Sequence, residues 1–225
     1  MKKNNRNAII VFVRYPVLGK VKTRLASETS REFAFSFYKT CAEHTFDELS
    51  YLKNRECDIF IFGSEERELH QIKTWSDNSF IYHSQEGEDL GEKMFNAFKK
   101  IFDKNYKKVI IVGTDAPDIT SDLIQNGFNV LNENDCVIGP ANDGGYYLLG
   151  FKERVLDLFS NIKWSTNSVL DQTIEKIKKP GIKYFLLDEL IDVDTRDDLI
   201  QWHSNFVGIG DHPVYLFTQK QKSEL

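Results

Sequence analysis

The 225-residue chain is 41% hydrophobic, enough for one sizeable core and short for two. Its formal net charge of -5 gives no basic footprint for nucleic acid or an anionic membrane, so a function that needs positive charge must hold it locally. Cys41, Cys57 and Cys136 are odd in number, scattered and set in apolar surroundings, which argues against a disulfide frame or zinc site and points to a cytoplasmic protein.

The opening Met1 to Asn7 is basic, but the apolar run behind it, Ala8 to Val13, is too short for a secretory segment or a membrane span. That run reads as a strand buried on both faces. It opens into Arg14-Tyr-Pro-Val-Leu-Gly-Lys-Val-Lys-Thr-Arg-Leu-Ala26, where Pro16 and Gly19 break regular structure. Arg14, Lys20, Lys22 and Arg24 put four positive charges within eleven residues there. Loop amides and guanidinium forks hold phosphate oxygens, and lysine offsets charge developing on a leaving phosphate, so this loop suits a pyrophosphate. It is neither a Walker A loop nor G-x-G-x-x-G, because Val21 follows Gly19-Lys20 where a Ser or Thr would meet magnesium. A solvated basic loop is the plainer alternative.

Ser27 or Thr29 is placed to cap a helix running to about Leu52, with Phe33, Phe37, Cys41, Thr45, Leu49 and Leu52 on its buried face. Cys57 to Gly63 is a second strand, followed by a short charged helix around Glu65 to Trp75 on which His70 faces solvent. Ser79 to His83 is a shorter strand. Behind it, Asp89 caps a helix whose stripe of Leu90, Met94, Ala97, Phe98 and Ile101 is buried. Gln85, just ahead of that helix, is a candidate reader of a base edge.

Val109 to Val112 is another strand buried on both faces, ended by Gly-Thr-Asp-Ala-Pro. Asp115 then stands at its carboxyl end, the rim where open parallel sheets bind ligands, and is placed to hold a metal or a substrate. Capping the helix that starts near Ser121 is the alternative, a role that falls more naturally to Asp118. Asp143-Gly144-Gly145 between two apolar runs reads as a hairpin turn, but Gly139-Pro140-Ala141 makes a second break just before it. Two breaks framing one acid suggest a pocket wall. Trp164-Ser165-Thr166 is read as capping a helix through Val169, Thr173 and Ile177 that ends at Pro180-Gly181. Ile182 to Leu187 is the last strand, and Asp192 and Asp194 alternate on one face of the extended segment beyond it. Past Asn205 the chain reads as a peripheral tail.

Five of these stretches, F-V-R-Y-P-V-L-G-K-V-K-T-R-L-A, Q-E-G-E-D-L-G-E-K-M, G-T-D-A-P-D-I, G-P-A-N-D-G-G-Y-Y-L-L-G and D-V-D-T-R-D-D-L, in this order, resemble the glycosyltransferase-like family DUF2064. That family sits in the GT-A superfamily beside the molybdenum-cofactor and phospholactate guanylyltransferases. The resemblance implies a three-layer α/β/α GT-A (Rossmann-like) fold with a mixed, mostly parallel central sheet. It further implies one transferase domain over residues 1–225, with a nucleotide-binding half (8–115), an acceptor half (116–204) and the peripheral tail (205–225). Carried over by position, Arg14, Gly19, Lys20, Lys22, Arg24 and Gln85 would meet the nucleotide. Asp115, with Asp192 or Asp194, would hold Mg2+ or Mn2+. Asp143, with Gly144, Gly145 and Tyr146, would line the acceptor side and, in an inverting glycosyltransferase, would be the catalytic general base, while Lys22 and Arg24 would stabilise the leaving group. Lys93 stands where the family often has arginine, and the first loop lacks the Gly-x-Gly form of sugar-nucleotide pyrophosphorylases.

The leading expectation is therefore a metal-dependent glycosyltransferase using a nucleotide sugar and a small-molecule acceptor. A nucleotidyltransferase using a nucleoside triphosphate is second, supported by Lys-Thr-Arg-Leu, which is similar to the Lys-Ser-Arg-Leu of the phospholactate enzymes. A nucleotide-binding module without turnover is third. The oligomeric state stays open.

Overall fold

The sheet is organised around β1 (Asn7–Val13), which pairs in parallel with β2 (Cys57–Gly63) on one side and β4 (Lys108–Val112) on the other. This computed structural model describes residues 7–53, 57–77, 79–178, 181–208 and 210–221. Beyond β2 lies β3 (Ile81–Ser84); beyond β4 come β6 (Tyr146–Lys152), β5 (Cys136–Pro140) and β7 (Tyr184–Leu186). The order is thus β3-β2-β1-β4-β6-β5-β7, with β6 antiparallel to both its neighbours in an otherwise parallel sheet.

Strand alternation divides the core. Ile9, Val11 and Val13 face a layer containing Ala42, Phe46 and Leu49 of α2 (Arg31–Lys53) and Ile124 and Phe128 of α5 (Ser121–Val130). Ala8 and Ile10 face the opposite layer, with Met94, Phe98 and Ile101 of α4 (Leu90–Phe102) and Ile177 of α6 (Val169–Lys178). A short α3 (Leu69–Trp75) covers the β2 end through Ile72. The result is the expected three-layer α/β/α architecture with a mixed, mostly parallel sheet. No helix among the described residues is long and apolar enough to cross a membrane, and the three cysteines are buried thiols.

Several local expectations are corrected. The first helical stretch is two helices, α1 (Thr23–Glu28) and α2, and the cap of the second is Ser30, whose Oγ accepts the Phe33 N–H at 3.1 Å. Ser27 and Thr29 are spent on α1, donating to the Arg24 and Leu25 carbonyls. Asp118 does not cap α5: Thr120 accepts the Leu123 N–H, and Glu48 of α2 takes the Ser121 N–H at 2.6 Å. The helix expected from Trp164 begins only at Val169, which frees residues 164–168 as a loop; of its expected end, Pro180 lies outside the described residues, as does the opening Met1 to Arg6.

The segment read as a peripheral tail instead carries α8 (Pro213–Lys220), packed on α2. Its Val214 is fully buried, and Phe217 lies against Phe33 and Phe37. These residues close a third apolar cluster with Leu199 and Trp202 of α7 (Arg196–Asn205). Helical spacing over so short a segment gave no sign of this burial.

Candidate functional site

The carboxyl ends of β1 and β4 lie side by side, so the turns that leave them meet above one sheet edge. The loop after β1 turns through Gly19 (φ 77) and then Lys22, which adopts left-handed backbone angles (φ 46, ψ 50) at the start of α1. A lysine in that region carries strain that its surroundings must offset. Here the offset is visible in the side chain, whose ammonium reaches Asp115 Oδ1 at 2.6 Å, Asp194 Oδ1 at 3.2 Å and Asp192 Oδ1 at 3.6 Å. The Lys22 side chain is only 3% exposed. Burial alone would lower its pKa, but the three carboxylates win and hold the ammonium above the ordinary lysine range.

Two backbone ties bring these carboxylates together. Val193 donates its N–H to the Asp115 carbonyl at 3.2 Å, which fixes the segment carrying Asp192 and Asp194 beside the β4 turn. Asn142, in the loop between β5 and β6, accepts the Asp192 N–H at 2.8 Å through Oδ1 and donates through Nδ2 to Asp198 at 3.2 Å. Asp198 also closes a capping box with Thr195 at the start of α7. Asn142 is thus a positioning residue that the sequence did not single out, whereas Asp198 does the capping its place at the head of a helix suggests and adds the bond to Asn142. The motif around Asn142 drew attention to its glycines and its acid, not to an amide with two distant partners.

Asp192 bears the strain of the arrangement. Burial first, then the Asp115 carboxylate, push its pKa up to about 7 against the opposing pull of Lys22. Its Oδ1 is buried without a hydrogen-bond donor. Asp194 is better served, shared between Lys22 and Arg24 Nη1 at 3.4 Å.

A cavity of about 450 Å³ opens from this cluster over the first loop. Arg14, Lys20, Lys22, Arg24 and Gln85 all line it, so five of the residues assigned to the nucleotide are brought together with Asp115. Gly19 shapes the turn without lining the cavity. The loop is held by Tyr38 of α2, which donates its hydroxyl to the Arg14 carbonyl at 2.8 Å and accepts the Arg14 N–H at 3.0 Å. Burial and the nearby Asp115 carboxylate push the Tyr38 phenol up to about 12, so it keeps its proton as a donor. Gln85 donates to the Phe62 carbonyl at 3.0 Å, which leaves its amide oxygen as an acceptor.

A second cavity, about 490 Å³, lies beside the first and shares Arg24 and Asp194 with it. Asp143, Gly145 and Tyr146 line it, with Trp164 and Asn167 from the loop before α6. Gly144 (φ 84) does not line it but is necessary to it, because a side chain there would collide with the Asn167 backbone. The turn is also tied to the start of α6, where the Leu170 N–H donates to the Gly144 carbonyl at 2.8 Å. Asp143 accepts the Gly145 N–H through Oδ1 at 2.8 Å. Leu90, expected in the core, is instead 45% exposed and lines both cavities from the first turn of α4. Helical periodicity cannot tell a core position from one that roofs a cavity.

The DUF2064 family, described as uncharacterized protein conserved in bacteria, matches residues 46–166. A crystal structure from Desulfovibrio desulfuricans G20, provisionally named a nucleotide-diphospho-sugar transferase, is 31% identical, superimposes with a TM-score of 0.90, and covers 97% of this chain and 96% of its own. Two curated relatives are named 2-phospho-L-lactate guanylyltransferase. That of Methanocaldococcus vulcanius is 24% identical over 85% of this chain and 82% of its own length. That of Methanocaldococcus jannaschii is 28% identical over 84% and 80%.

Proposed function

The chain belongs to the DUF2064 family, and from that premise we propose that it is a nucleotidyltransferase: it joins the nucleoside monophosphate of a nucleoside triphosphate, GTP foremost, to an acceptor hydroxyl and releases pyrophosphate. The observation that carries this reading is the convergence of Arg14, Lys20 and Arg24 on one cavity whose end wall is the Asp115 cluster. Cations gathered at a strand-end carboxylate suit a triphosphate, whose negative charge must be both held and stabilised as pyrophosphate departs. The guanylyl transfer in the names of the two methanogen relatives, which match over most of their length, favours a nucleotidyl over a glycosyl product.

A divalent cation fits the carboxylate end in a restricted sense. Among the described residues no three His, Cys, Asp or Glu side chains are spaced to cage a metal, but magnesium takes one or two carboxylates and leaves its other positions to water and phosphate. The buried Oδ1 of Asp192, which no hydrogen bond satisfies, supports its use together with the second oxygen of Asp115, since Lys22 pairs with Oδ1 of that carboxylate; both oxygens of Asp194 are engaged, Oδ1 by Lys22 and Oδ2 by Arg24. When bound, Mg2+ or Mn2+ would neutralise phosphate charge.

The chain's own groups divide the remaining work. Arg14, Lys20 and Arg24 grip phosphate oxygens. Lys22, enclosed by carboxylates, acts mainly as a positioning residue that keeps three negative charges at one sheet edge. Asp143, with one oxygen fixed by the Gly145 N–H, presents the other as general base to the acceptor hydroxyl.

The product decides. Protein incubated with GTP, Mg2+ and an acceptor extract should release pyrophosphate, and Asp143→Asn should slow that release about a hundredfold. Full activity in that variant would remove Asp143 from the mechanism. A second reading, glycosyl transfer from a nucleotide sugar, is favoured by the name of the Desulfovibrio structure; release of a nucleoside diphosphate from a nucleotide sugar, with none of pyrophosphate from GTP, would establish it instead.

A further inference from the structure

A third cavity adjoins the two already described, under the first turns of α4. It holds about 220 Å³ and shares Leu90 and Asp115 with the nucleotide cavity, and Leu90, Tyr146 and Asp192 with the cavity that contains Asp143. Its two acids, Asp115 and Asp192, are therefore where it opens onto its neighbours. Behind them the walls are hydrocarbon and aromatic ring: Met94 from α4 on one side, Ile111 and Leu149 from the sheet on the other, and Phe12 from the end of β1. Protein interiors are packed to crystal density, so an apolar space of this size costs the fold stability unless something fills it.

Gly113 keeps the space open. Its N–H donates to the Tyr147 carbonyl at 3.2 Å, which prolongs the β4–β6 ladder one residue beyond Val112. Strand alternation turns position 113 to the face of the sheet that bears Ile111, the face under α4. The backbone does not call for glycine, because Gly113 lies outside the left-handed region. A Cβ built there would meet nothing within 4 Å. What the glycine supplies is room in the cavity it lines. The roof is fixed as well: Asp89 caps α4 by accepting the Glu92 N–H at 2.8 Å, and the indole of Trp164 packs on Gly91, where a Cβ would stand 2.5 Å from the ring. Leu90, between these two anchors, is held where the three cavities meet, so the pocket is formed before a ligand arrives.

Hydrocarbon walls select against the nucleotide as the occupant. Ribose hydroxyls and base edges would give up hydrogen bonds to water there without replacement. The cations suited to phosphates, Arg14, Lys20 and Arg24, line the neighbouring cavities and not this one. An acceptor meets the requirement if a compact hydrocarbon group stands next to its reacting hydroxyl, with the hydroxyl at the carboxylate mouth toward Asp143 and the hydrocarbon behind it. An apolar cavity of about 150 Å³ takes up benzene, so the larger space here admits about six carbons, branched or cyclic.

We infer that this cavity is the acceptor's hydrocarbon subsite, that Gly113 sets its depth, and that the acceptor is an alcohol with a compact apolar group beside the transferring hydroxyl. The inference rests on the nucleotidyl-transfer reading. The hydroxyl oxygen bonds to the α-phosphorus of the nucleoside triphosphate as the bond from that phosphorus to the bridging oxygen breaks. Pyrophosphate leaves with the electron pair, and the hydroxyl proton passes to the Asp143 carboxylate and on to solvent.

The test gives the full chain GTP and Mg2+ with benzyl alcohol, cyclohexanol, 3-methyl-1-butanol, glycerol or 2-phospho-L-lactate at equal concentration, and measures pyrophosphate release. At least one of the three hydrocarbon alcohols should raise the rate about tenfold more than glycerol or 2-phospho-L-lactate does. Saturation-transfer NMR on the alcohol protons reads binding without turnover. Gly113→Ala, which the open space admits without disturbing the fold, should raise the alcohol KM about threefold, and Gly113→Val about tenfold or more. The GTP-induced thermal shift should stay unchanged in both, since Gly113 does not line the nucleotide cavity. Equal stimulation by glycerol or 2-phospho-L-lactate overturns the inference, as does stimulation by no hydrocarbon alcohol, or an alcohol KM that neither substitution raises. Absence of any GTP-induced thermal shift is the separable result, and it sinks the nucleotidyl-transfer reading. The subsite then rests on the NMR alone: it stands if saturation transfer to an alcohol is lost in Gly113→Val, and falls if that transfer is absent or unaffected.

Discussion

The loop that links β4 to α5 carries a polar cluster at each end, and the two clusters handle charge in opposite ways. At the Asp115 end an ammonium is buried among three carboxylates, and the charges persist because they pair. At the Pro117–Asp118 end, His44 and His212 stand 4.4 Å apart, with His212 Nε2 3.2 Å from the Pro117 carbonyl. Burial, then the neighbouring His212, push His44 down to about 4, despite the opposing pull of Glu48. Burial likewise lowers His212, against the carboxylate of Asp118. One end keeps charge inside the fold by compensating it; the other excludes charge by holding its rings neutral. Compensated charge is of use to a polar substrate, whereas the neutral pair fastens α2 and the approach to α8 onto the loop.

The largest expected effect comes from Lys22→Met, which leaves three carboxylates facing one another without their cation. Removing one partner from a buried ion pair costs about 3–5 kcal/mol, and urea unfolding should show a loss of that size. Added millimolar Mg2+ should recover part of it in this variant more than in the wild type, since the carboxylates are then released to the metal; an unchanged unfolding midpoint would mean the ammonium contributes nothing to the fold. Next is Asp115→Asn, which leaves Lys22 two carboxylate partners and so should change stability little, while cutting pyrophosphate release by about two orders of magnitude. Retention of a Mg2+-dependent nucleotide thermal shift in that variant would reassign the metal. Arg14→Ala should be smaller again, because Arg14 is exposed. GTP affinity should fall about tenfold, with a weaker dependence on salt than in the wild type, and the unfolding midpoint should stay where it was. A loss of stability there would make Arg14 structural and blur the contrast between the loop's free cations and its buried one.

Most of the architecture was legible because it rests on local pattern. Val109 to Val112 is apolar on both faces and became a central strand; Cys57 to Gly63 matched β2 residue for residue. Asp115, Lys22, Asp192 and Asp194 were legible as charges at strand ends, and the fold brings them together. Their pairing was not, because a sequence distance of about 170 residues between Lys22 and Asp194 carries no local signature. The roles of Asn142, Tyr38 and Trp164 were hidden for the same reason: each acts through a partner on another element. The burial of α8 was missed because polar residues dilute its short apolar face, and its hold comes from aromatic contacts with α2 rather than from any pattern of its own.

The smallest effect examines the neutral end of the loop. His44 ionises at about 4 in the folded chain and near 6.5 when unfolded. Between these values the unfolded state binds more protons, so the stability gained from keeping His44 neutral is complete above pH 6.5 and drains away as the pH falls toward 4. With some access of solvent to the pair, the loss over that window should be about 1 kcal/mol. Carboxylates elsewhere titrate in the same range, so the informative quantity is the difference between the wild type and His44→Gln in urea unfolding at pH 7 and pH 4.5. The wild type should lose more stability than the variant across that interval, whatever the variant's stability at pH 7. Equal slopes would show that His44 is as readily protonated folded as unfolded. The neutral cluster would then be a second charged one, and the contrast between the two ends of the loop would collapse.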